Sequence, residues 1–313
     1  MSAQSLRLTV KPRHDSPRRT PTGLRWLVPA LSLLSLCFVV PVLMLLLRSV
    51  TEPELGLQHY RELVGSWTYA RVFYNTFLVA TVVTAVTIVV GFPVAWLMAV
   101  IPRGWSQLLM SVLLLSMWTN LLVRTYAWMV LLQRTGVINQ SLIQWGIVSE
   151  PLPLVNNLVG VVIGMSYIML PFLVLPLHTT IKAIDPSVLR AAAICGSSRF
   201  QAFRRVLLPL AAPGLASGAL MVFVMSLGYF VTPALLGGTS HMMLAELIAN
   251  MVQSLLNWGL AGAASLVLLT VTLGLYALQL KLFGVGQLET AQPKAQKLKL
   301  FGIGQPKAKT EEN

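Results

Sequence analysis

The strongest constraint on this fold comes from six long apolar runs, at residues 26–47, 76–101, 108–132, 158–177, 207–236 and 258–280. Each run is long enough to cross the hydrocarbon core of a bilayer as a helix, which takes roughly 20 residues. Five of the runs contain no Asp, Glu, Lys, Arg or His. Charged residues make up only 11% of the chain, whereas soluble domains average about 25%. The sequence therefore predicts an all-α membrane protein with six transmembrane helices.

The basic residues indicate how these spans are oriented. An even number of spans places both termini on one side. That side holds 18 of the 23 Lys and Arg residues, in the two tails, the loop at Arg103 and the segment 178–206. Because cytoplasmic segments are enriched in Lys and Arg, both termini are expected in the cytoplasm. The net charge of +13 is thus a topology signal. Neither tail has the basic face with interleaved aromatics that indicates a nucleic-acid partner.

Three regions are expected along the chain. Residues 1–25 form a basic cytoplasmic tail rich in Ser, Pro and Thr, for which disorder is expected. Residues 26–283 form the membrane domain, and residues 284–313 form a second cytoplasmic tail. A short repeat spans the boundary between the membrane domain and this tail: the eight residues at 280–287 recur at 298–305 with one change, Ile303 in place of Val285. Two copies are too few for a solenoid, so a local duplication is favoured over a docking element.

Motifs for catalysis are absent from the sequence. It contains neither the Gly-rich phosphate loop ending in Gly-Lys-Ser/Thr nor the His-Glu-x-x-His zinc motif. The four His lie far apart, and Cys37 and Cys195 fall in different segments. We therefore assign no catalytic and no metal-ligating residue. The lack of Asp, Glu and His inside the spans also disfavours a proton relay.

Between the fourth and fifth spans the sequence predicts a hairpin of two short helices. Asp185 can cap the first helix, Pro186 suits its first position, and Gly196 can end it in the left-handed conformation. Ser198 can cap the second helix, which is expected to end before Pro209. Apolar and basic residues on both helices indicate a docking element; the alternative is a hairpin lying on anionic membrane lipid. These residues are Val188, Leu189, Ala192, Cys195, Phe200, Phe203 and Val206, with Arg190, Arg199, Arg204 and Arg205.

Residues 185–209 resemble the EAA loop of ABC importer permease subunits. In that family the loop forms a coupling helix that fits a groove in the cytoplasmic ATPase. Arg190 stands where the family usually has Glu, which reverses one charge at this contact. The resemblance implies that the hairpin at 185–208 is cytoplasmic. It assigns the ATPase-coupling loop to Arg190, Ala191, Ala192, Gly196, Phe200, Phe203, Leu208 and Pro209.

Other stretches are similar to the spermidine/putrescine branch of these type I permeases; they lie at 118–128, 136–140, 165–172, 236–238 and 257–259. The resemblance implies a bacterial inner-membrane permease subunit that is not an enzyme and holds no cofactor, because ATP and Mg²⁺ belong to separate ATPase subunits. It also implies a second permease subunit, a periplasmic substrate-binding protein, and a polyamine or related small cation as the solute.

Arg124 is the one charge inside a predicted span, which makes it a candidate for the solute pathway. Asn120 lies four residues earlier and so on the same helical face, with Trp118 and Tyr126 near that face. These side chains predict a polar track. Arg124 also lies near the outer end of its span, so a structural pairing or partial snorkelling is the alternative.

Glu246 is the only charge between Arg205 and Lys281. It lies in an amphipathic segment, 242–256, that is too short to span and is expected at the outer surface or dipping into the assembly. Asn250 shares its polar face. A carboxylate at an outer mouth would favour entry of a cation, and a plain interfacial helix is the alternative.

Other functions remain open from the sequence. One is a stand-alone channel or secondary carrier. Another is the same permease role for an opine, iron or thiamine, because a binding protein largely selects the solute. A membrane enzyme is disfavoured by the few ionisable residues in the spans.

Overall fold

The computed structural model describes residues 22–52, 54–238 and 241–281, with side chains from Val28 onward except that of Gln279. The predicted tails at 1–25 and 284–313 lie outside this part of the chain, apart from residues 22–25, where the first helix begins. The second copy of the repeat and most of the first also lie outside it.

The described residues form fourteen α-helices and two π-helical turns. The helices are α1 (Thr22–Leu34), α2 (Val40–Thr51), α3 (Gln58–Gly65), α4 (Trp67–Val100), α5 (Arg103–Trp118), α6 (Leu121–Leu132), α7 (Val137–Gln144), α8 (Leu158–Ala183), α9 (Pro186–Ile194), α10 (Arg199–Ala202), α11 (Leu208–Leu227), α12 (Val231–Leu236), α13 (Leu244–Gln253) and α14 (Trp258–Gln279). The fold is all-α, as expected. Five helical segments are long and apolar enough to cross a membrane, and the bent pair α5 with α6–α7 makes a sixth if it is taken as one span.

The two π-helical turns each precede a proline. One turn, Ser35–Val39, joins α1 to α2 before Pro41, and the other, Phe203–Leu207, joins α10 to α11 before Pro209. Proline cannot donate the helical hydrogen bond and crowds the carbonyl of the preceding turn. A wider π turn accommodates that defect without ending the helix. The prediction that the second hairpin helix ends before Pro209 is therefore wrong, since that helix continues into the fifth span.

Three spans, α4, α8 and α11, pack against one another and form the centre of the bundle. α8 is buried along most of its length, and the buried residues of the three helices form two clusters, one around Met165 and Met169 and one around Leu177. The α8 backbone lies close to Gly218 of α11, where an added Cβ would lie 3.0 Å from the carbonyl oxygen of Leu173. A side chain at position 218 would therefore force the α8 backbone to shift.

The first span lies at the edge of the described bundle. No residue in the most apolar stretch of Val28–Thr51 is buried, and the span makes its main contact through α2 with α14. Near its end, the Ser49 and Tyr60 hydroxyls form a hydrogen bond of 2.8 Å, and Arg48 lies 5.5 Å from the ring centre of Trp258. Among the described residues, the α2 half of the span is thus the part that packs against the bundle.

Two predicted spans are interrupted in the structure. The third, expected as a continuous helix over 108–132, breaks between Trp118 and Leu121. The fifth, expected over 207–236, ends at Leu227 and is followed by the separate short helix α12. The amphipathic segment expected at 242–256 is helical over Leu244–Gln253, and it remains too short to span.

Candidate functional site

The third span contains an elbow at Thr119 and Asn120, between α5 and α6. The helix direction changes by 101° there. A break leaves carbonyl groups at the end of α5 and N–H groups at the start of α6 without helical partners. In a membrane such groups must be satisfied by the protein itself, so the side chains at the elbow decide whether it is stable.

Asn120 satisfies the N–H side of the elbow. Its side-chain oxygen accepts hydrogen bonds from the backbone N–H groups of Leu122 at 2.9 Å and Val123 at 3.4 Å. This is an N-cap, the position where Asn is among the preferred residues. A continuous helix was expected here, and Asn120 inside an apolar run was an available but unused signal for the break.

Arg124 satisfies carbonyl groups at the end of α5. Its Nη2 donates to the backbone carbonyl oxygens of Thr119 at 2.9 Å and Met117 at 3.4 Å. The positive charge thereby lies at the C-terminal end of α5, where the helix dipole is negative. Within the described residues the single ion pair joins Arg48 and Glu52, so carbonyl dipoles rather than a carboxylate compensate Arg124 there.

A cavity of about 180 Å³, the elbow cavity, lies beside this break. Its walls come from three spans: the elbow, the middle of α8, and the end of α11 where the fifth span is interrupted. Two interrupted spans and α8 therefore enclose this cavity together. Interrupted helices build solute sites in many transporters because the break frees polar groups inside the membrane. The lining residues are Met117, Leu121, Arg124, Ile168, Met169, Phe172, Met225 and Tyr229.

A polar contact ties the elbow to α12. The hydroxyl of Thr125, which is fully buried, lies 3.3 Å from the hydroxyl of Thr232. Tyr229, in the interruption of the fifth span, also shares a side-chain hydrogen bond with Thr232. The elbow, the second interruption and one wall of the elbow cavity are therefore connected.

Of the four residues predicted to form a polar track in the third span, Arg124 alone lines the elbow cavity. The side chain of Trp118 is 89% exposed and that of Tyr126 is 49% exposed. Asn120 caps α6 instead of continuing one helical face with Arg124. The expected shared face assumed an unbroken helix, and the elbow removes it. A pathway role for these residues stays a prediction.

Glu246 lies in the first turn of α13. The backbone N–H of Met243 donates a hydrogen bond to its carboxylate, while Oε2 is buried and has no hydrogen-bond partner among the described residues. Burial raises the pKa of the Glu246 carboxyl, and the bond from Met243 opposes this. α13 itself is anchored by its Leu244 N–H, which donates to the Thr76 hydroxyl at 2.8 Å.

The hairpin has the caps that its sequence predicts. The Asp185 carboxylate accepts from the Ser187 N–H at 2.8 Å, and this bond holds the pKa of Asp185 below its ordinary value. Ser198 and Gln201 form a reciprocal capping box at the start of α10. Gly196 ends α9 with φ of +79°, the left-handed conformation that glycine adopts without steric cost.

One side of the hairpin is packed and the other is bare. Phe203 packs edge-on against Phe92 of α4, with ring centres 5.5 Å apart, and Leu189 packs against the same cluster. By contrast Ile194 is 87% exposed and Phe200 is 70% exposed. Of the other residues assigned to the coupling loop, Arg190, Ala191, Gly196 and Pro209 are exposed, and Ala192 and Leu208 are half-buried.

Sequence reasoning missed Tyr229, the Thr125–Thr232 contact, and Asn139. The Asn139 side chain is fully buried and bonds the backbone of Leu152 in both directions, at 2.8 Å and 3.1 Å. It thereby fixes the loop that leads into α8. Gly228 was an available signal for the end of the fifth span, whereas no local pattern announces a contact between residues 107 positions apart.

Comparison with known proteins agrees with this architecture. Residues 63–282 match the family described as binding-protein-dependent transport system inner membrane component. The chain is 35% identical over 198 residues to the spermidine/putrescine transport system permease protein PotB of Haemophilus influenzae, covering 63% of this chain and 69% of that one. It is 32% identical over 222 residues to PotB of Escherichia coli K12, covering 71% and 80%.

A solved structure shares the fold. It is that of a bacterial alginate ABC transporter in complex with an alginate pentasaccharide-bound periplasmic protein; the TM-score is 0.65 at 17% identity, covering 83% of this chain and 94% of that chain. Family match, relatives and fold agree over most of the length. The chain therefore belongs to the binding-protein-dependent transport system inner membrane component family and is a permease subunit of an ABC importer.

Proposed function

We propose that this permease imports polyamines, such as spermidine or putrescine, or a related small cation. The observation that carries the solute class is the 32–35% identity to spermidine/putrescine permeases over about two thirds of the chain. In this proposal a periplasmic binding protein delivers the solute, and a second permease subunit completes the pathway. Both termini lie in the cytoplasm, as the distribution of Lys and Arg favours.

ATP and Mg²⁺ act in separate cytoplasmic ATPase subunits, which dock on the hairpin at 185–208. The bare side of the hairpin supports this assignment. Ile194 and Phe200 present apolar surface, while the capped α9 and the Phe203–Phe92 contact fix the hairpin to the bundle. Closure of the ATPases on ATP would thus move α8 and α11 together, and the pathway would open to alternate sides of the membrane.

Phe200→Asp is expected to weaken ATPase docking because it places a charge in an apolar contact. We expect the variant to insert normally and to lose roughly tenfold or more of the ATPase that co-purifies in mild detergent. Leu55→Asp is the matched control, since Leu55 is 84% exposed and lies before α4, at the opposite end of the bundle. Equal ATPase recovery with both variants would contradict docking at Phe200, and ATP-independent uptake would favour a stand-alone carrier.

The Glu246→Gln variant tests whether the carboxylate of Glu246 favours uptake of a cationic solute. Removing a half-buried carboxylate is expected to lower uptake of radiolabelled putrescine about tenfold at low solute concentration, with the protein still inserted. Because burial raises the pKa of Glu246, the carboxylate protonates at a higher pH than an ordinary Glu, so wild-type uptake should fall on acidification and Glu246→Gln uptake should not. Glu54→Gln is the control, because Glu54 is exposed. Unchanged uptake in Glu246→Gln would reduce Glu246 to a surface residue.

A further inference from the structure

The elbow between α5 and α6 is held by two side chains that act on opposite sides of one break. Asn120 binds the N–H groups that open α6, and Arg124 binds the carbonyl groups that close α5. Both side chains belong to the elbow itself. The bend is therefore encoded locally and does not depend on a neighbouring helix for its hydrogen bonds.

The positively charged side chain of Arg124 binds backbone carbonyl groups. Two carbonyl oxygens accept from the same Nη2, and the guanidinium is half-buried. A single nitrogen thus reaches both acceptors, while the adjacent Nε is buried without a hydrogen-bond partner among the described residues. A positive charge that contacted the solute would also oppose a cation. The geometry therefore favours a structural role for Arg124 over direct solute binding.

Side-chain contacts join the elbow to the interruption of the fifth span. The residue after Arg124, Thr125, meets Thr232 of α12, and Tyr229 bonds the same Thr232. Arg124 and Tyr229 both line the elbow cavity. A change in the elbow angle would therefore displace α12 and alter the shape of this cavity.

From these contacts we infer that Arg124 is a positioning residue of transport, which sets the elbow angle through the carbonyl oxygens of Met117 and Thr119 and so shapes the elbow cavity. It does not bind the solute through its charge. This role rests on the proposed transport function. Of the two roles that the sequence left open for Arg124, it is the structural one.

The elbow angle can be measured directly in the full-length permease. Spin labels are placed at Leu108→Cys in α5 and Val130→Cys in α6, both exposed positions, in a chain with Cys37 and Cys195 replaced by Ser. We expect one narrow distance distribution for the parent chain and a clearly broader one for Arg124→Gln. Arg124→Lys should lie between them. An unchanged distribution in Arg124→Gln overturns the inference.

Uptake kinetics distinguish positioning from solute binding. Arg124→Gln is expected to lower the maximal rate of putrescine uptake roughly tenfold, the scale of one lost charge-assisted hydrogen bond, with KM unchanged within about twofold. A change confined to KM, with the distance distribution intact, would instead show that the charge faces the solute. If the parent complex does not transport putrescine, the solute proposal fails, and the distance measurement still decides the role of Arg124.

Three further variants apply if Arg124→Gln does not fold. Thr125→Val removes the contact with Thr232 without altering charge, and it should lower the maximal rate while leaving the elbow distance unchanged. Asn120→Ala should broaden the distance distribution, and Asn120→Asp, which keeps a capping oxygen, should restore it. Distributions that are equal in both Asn120 variants would contradict a locally held elbow.

Discussion

Replacing Gly196 by Val should leave the permease inserted in the membrane and abolish most of its coupling to ATP hydrolysis. Gly196 ends α9 with φ of +79°, and a Cβ there would meet nothing within 4 Å. The cost of Val is therefore conformational rather than steric crowding by neighbours. A strained left-handed residue costs about 1–3 kcal/mol, and β-branched side chains tolerate this region least.

A cost of that size would lower the ratio of native to non-native hairpin by roughly 5- to 150-fold, since each 1.4 kcal/mol is a factor of ten. The bonds at risk are those from the N–H groups of Gly196 and Ser197 to the carbonyls of Ala193 and Ala192, at 3.0 Å and 3.1 Å. Solute-stimulated ATPase activity of the reconstituted importer measures the effect. Gly196→Asn is the matched control because Asn adopts positive φ more readily. Normal solute-stimulated ATPase activity in Gly196→Val would contradict the assignment of this hairpin as the ATPase-coupling element.

Replacing Gly218 by Val should destabilise the whole bundle. A Cβ at position 218 would lie 3.0 Å from the carbonyl oxygen and 3.1 Å from the Cα of Leu173, and backbone atoms cannot move aside as a flexible side chain can. α8 and α11 would have to separate. Overpacking of this kind typically costs about 1–3 kcal/mol, and the buried contacts around Leu173 and Val222 would suffer with it.

Thermal stability in detergent, followed by size-exclusion chromatography after heating, measures this loss. The control is Gly274→Val in α14, where a Cβ would meet nothing within 4 Å. We expect Gly218→Val to aggregate at a clearly lower temperature and to lose transport, with Gly274→Val close to the parent protein. If both variants aggregate at the same temperature, the α8–α11 contact at Gly218 does not limit the thermal stability of the bundle.

Local chemistry explains what the sequence predicted well. The apolar runs indicated the spans because a helix in lipid must be long and uncharged. The hairpin caps at Asp185, Gly196 and Ser198 were predicted because each depends on one side chain or one φ angle within a few residues. The hairpin surface was predicted in part: Phe200 is exposed, whereas Phe203 packs inward on Phe92.

The sequence by itself thus determined an all-α membrane fold, its spans and the capped hairpin. Tertiary structure decided where the spans break and what the breaks enclose. An apolar run looks the same whether its helix is straight or bent by 101°, because hydropathy reports burial in lipid and not direction. The elbow cavity and the Thr125–Thr232 contact exist only once α6, α8 and α12 are packed together, since they join residues far apart in the chain. Arg124 shows both levels: its charge marked it in the sequence, and only the fold shows that it binds the backbone carbonyls of the elbow.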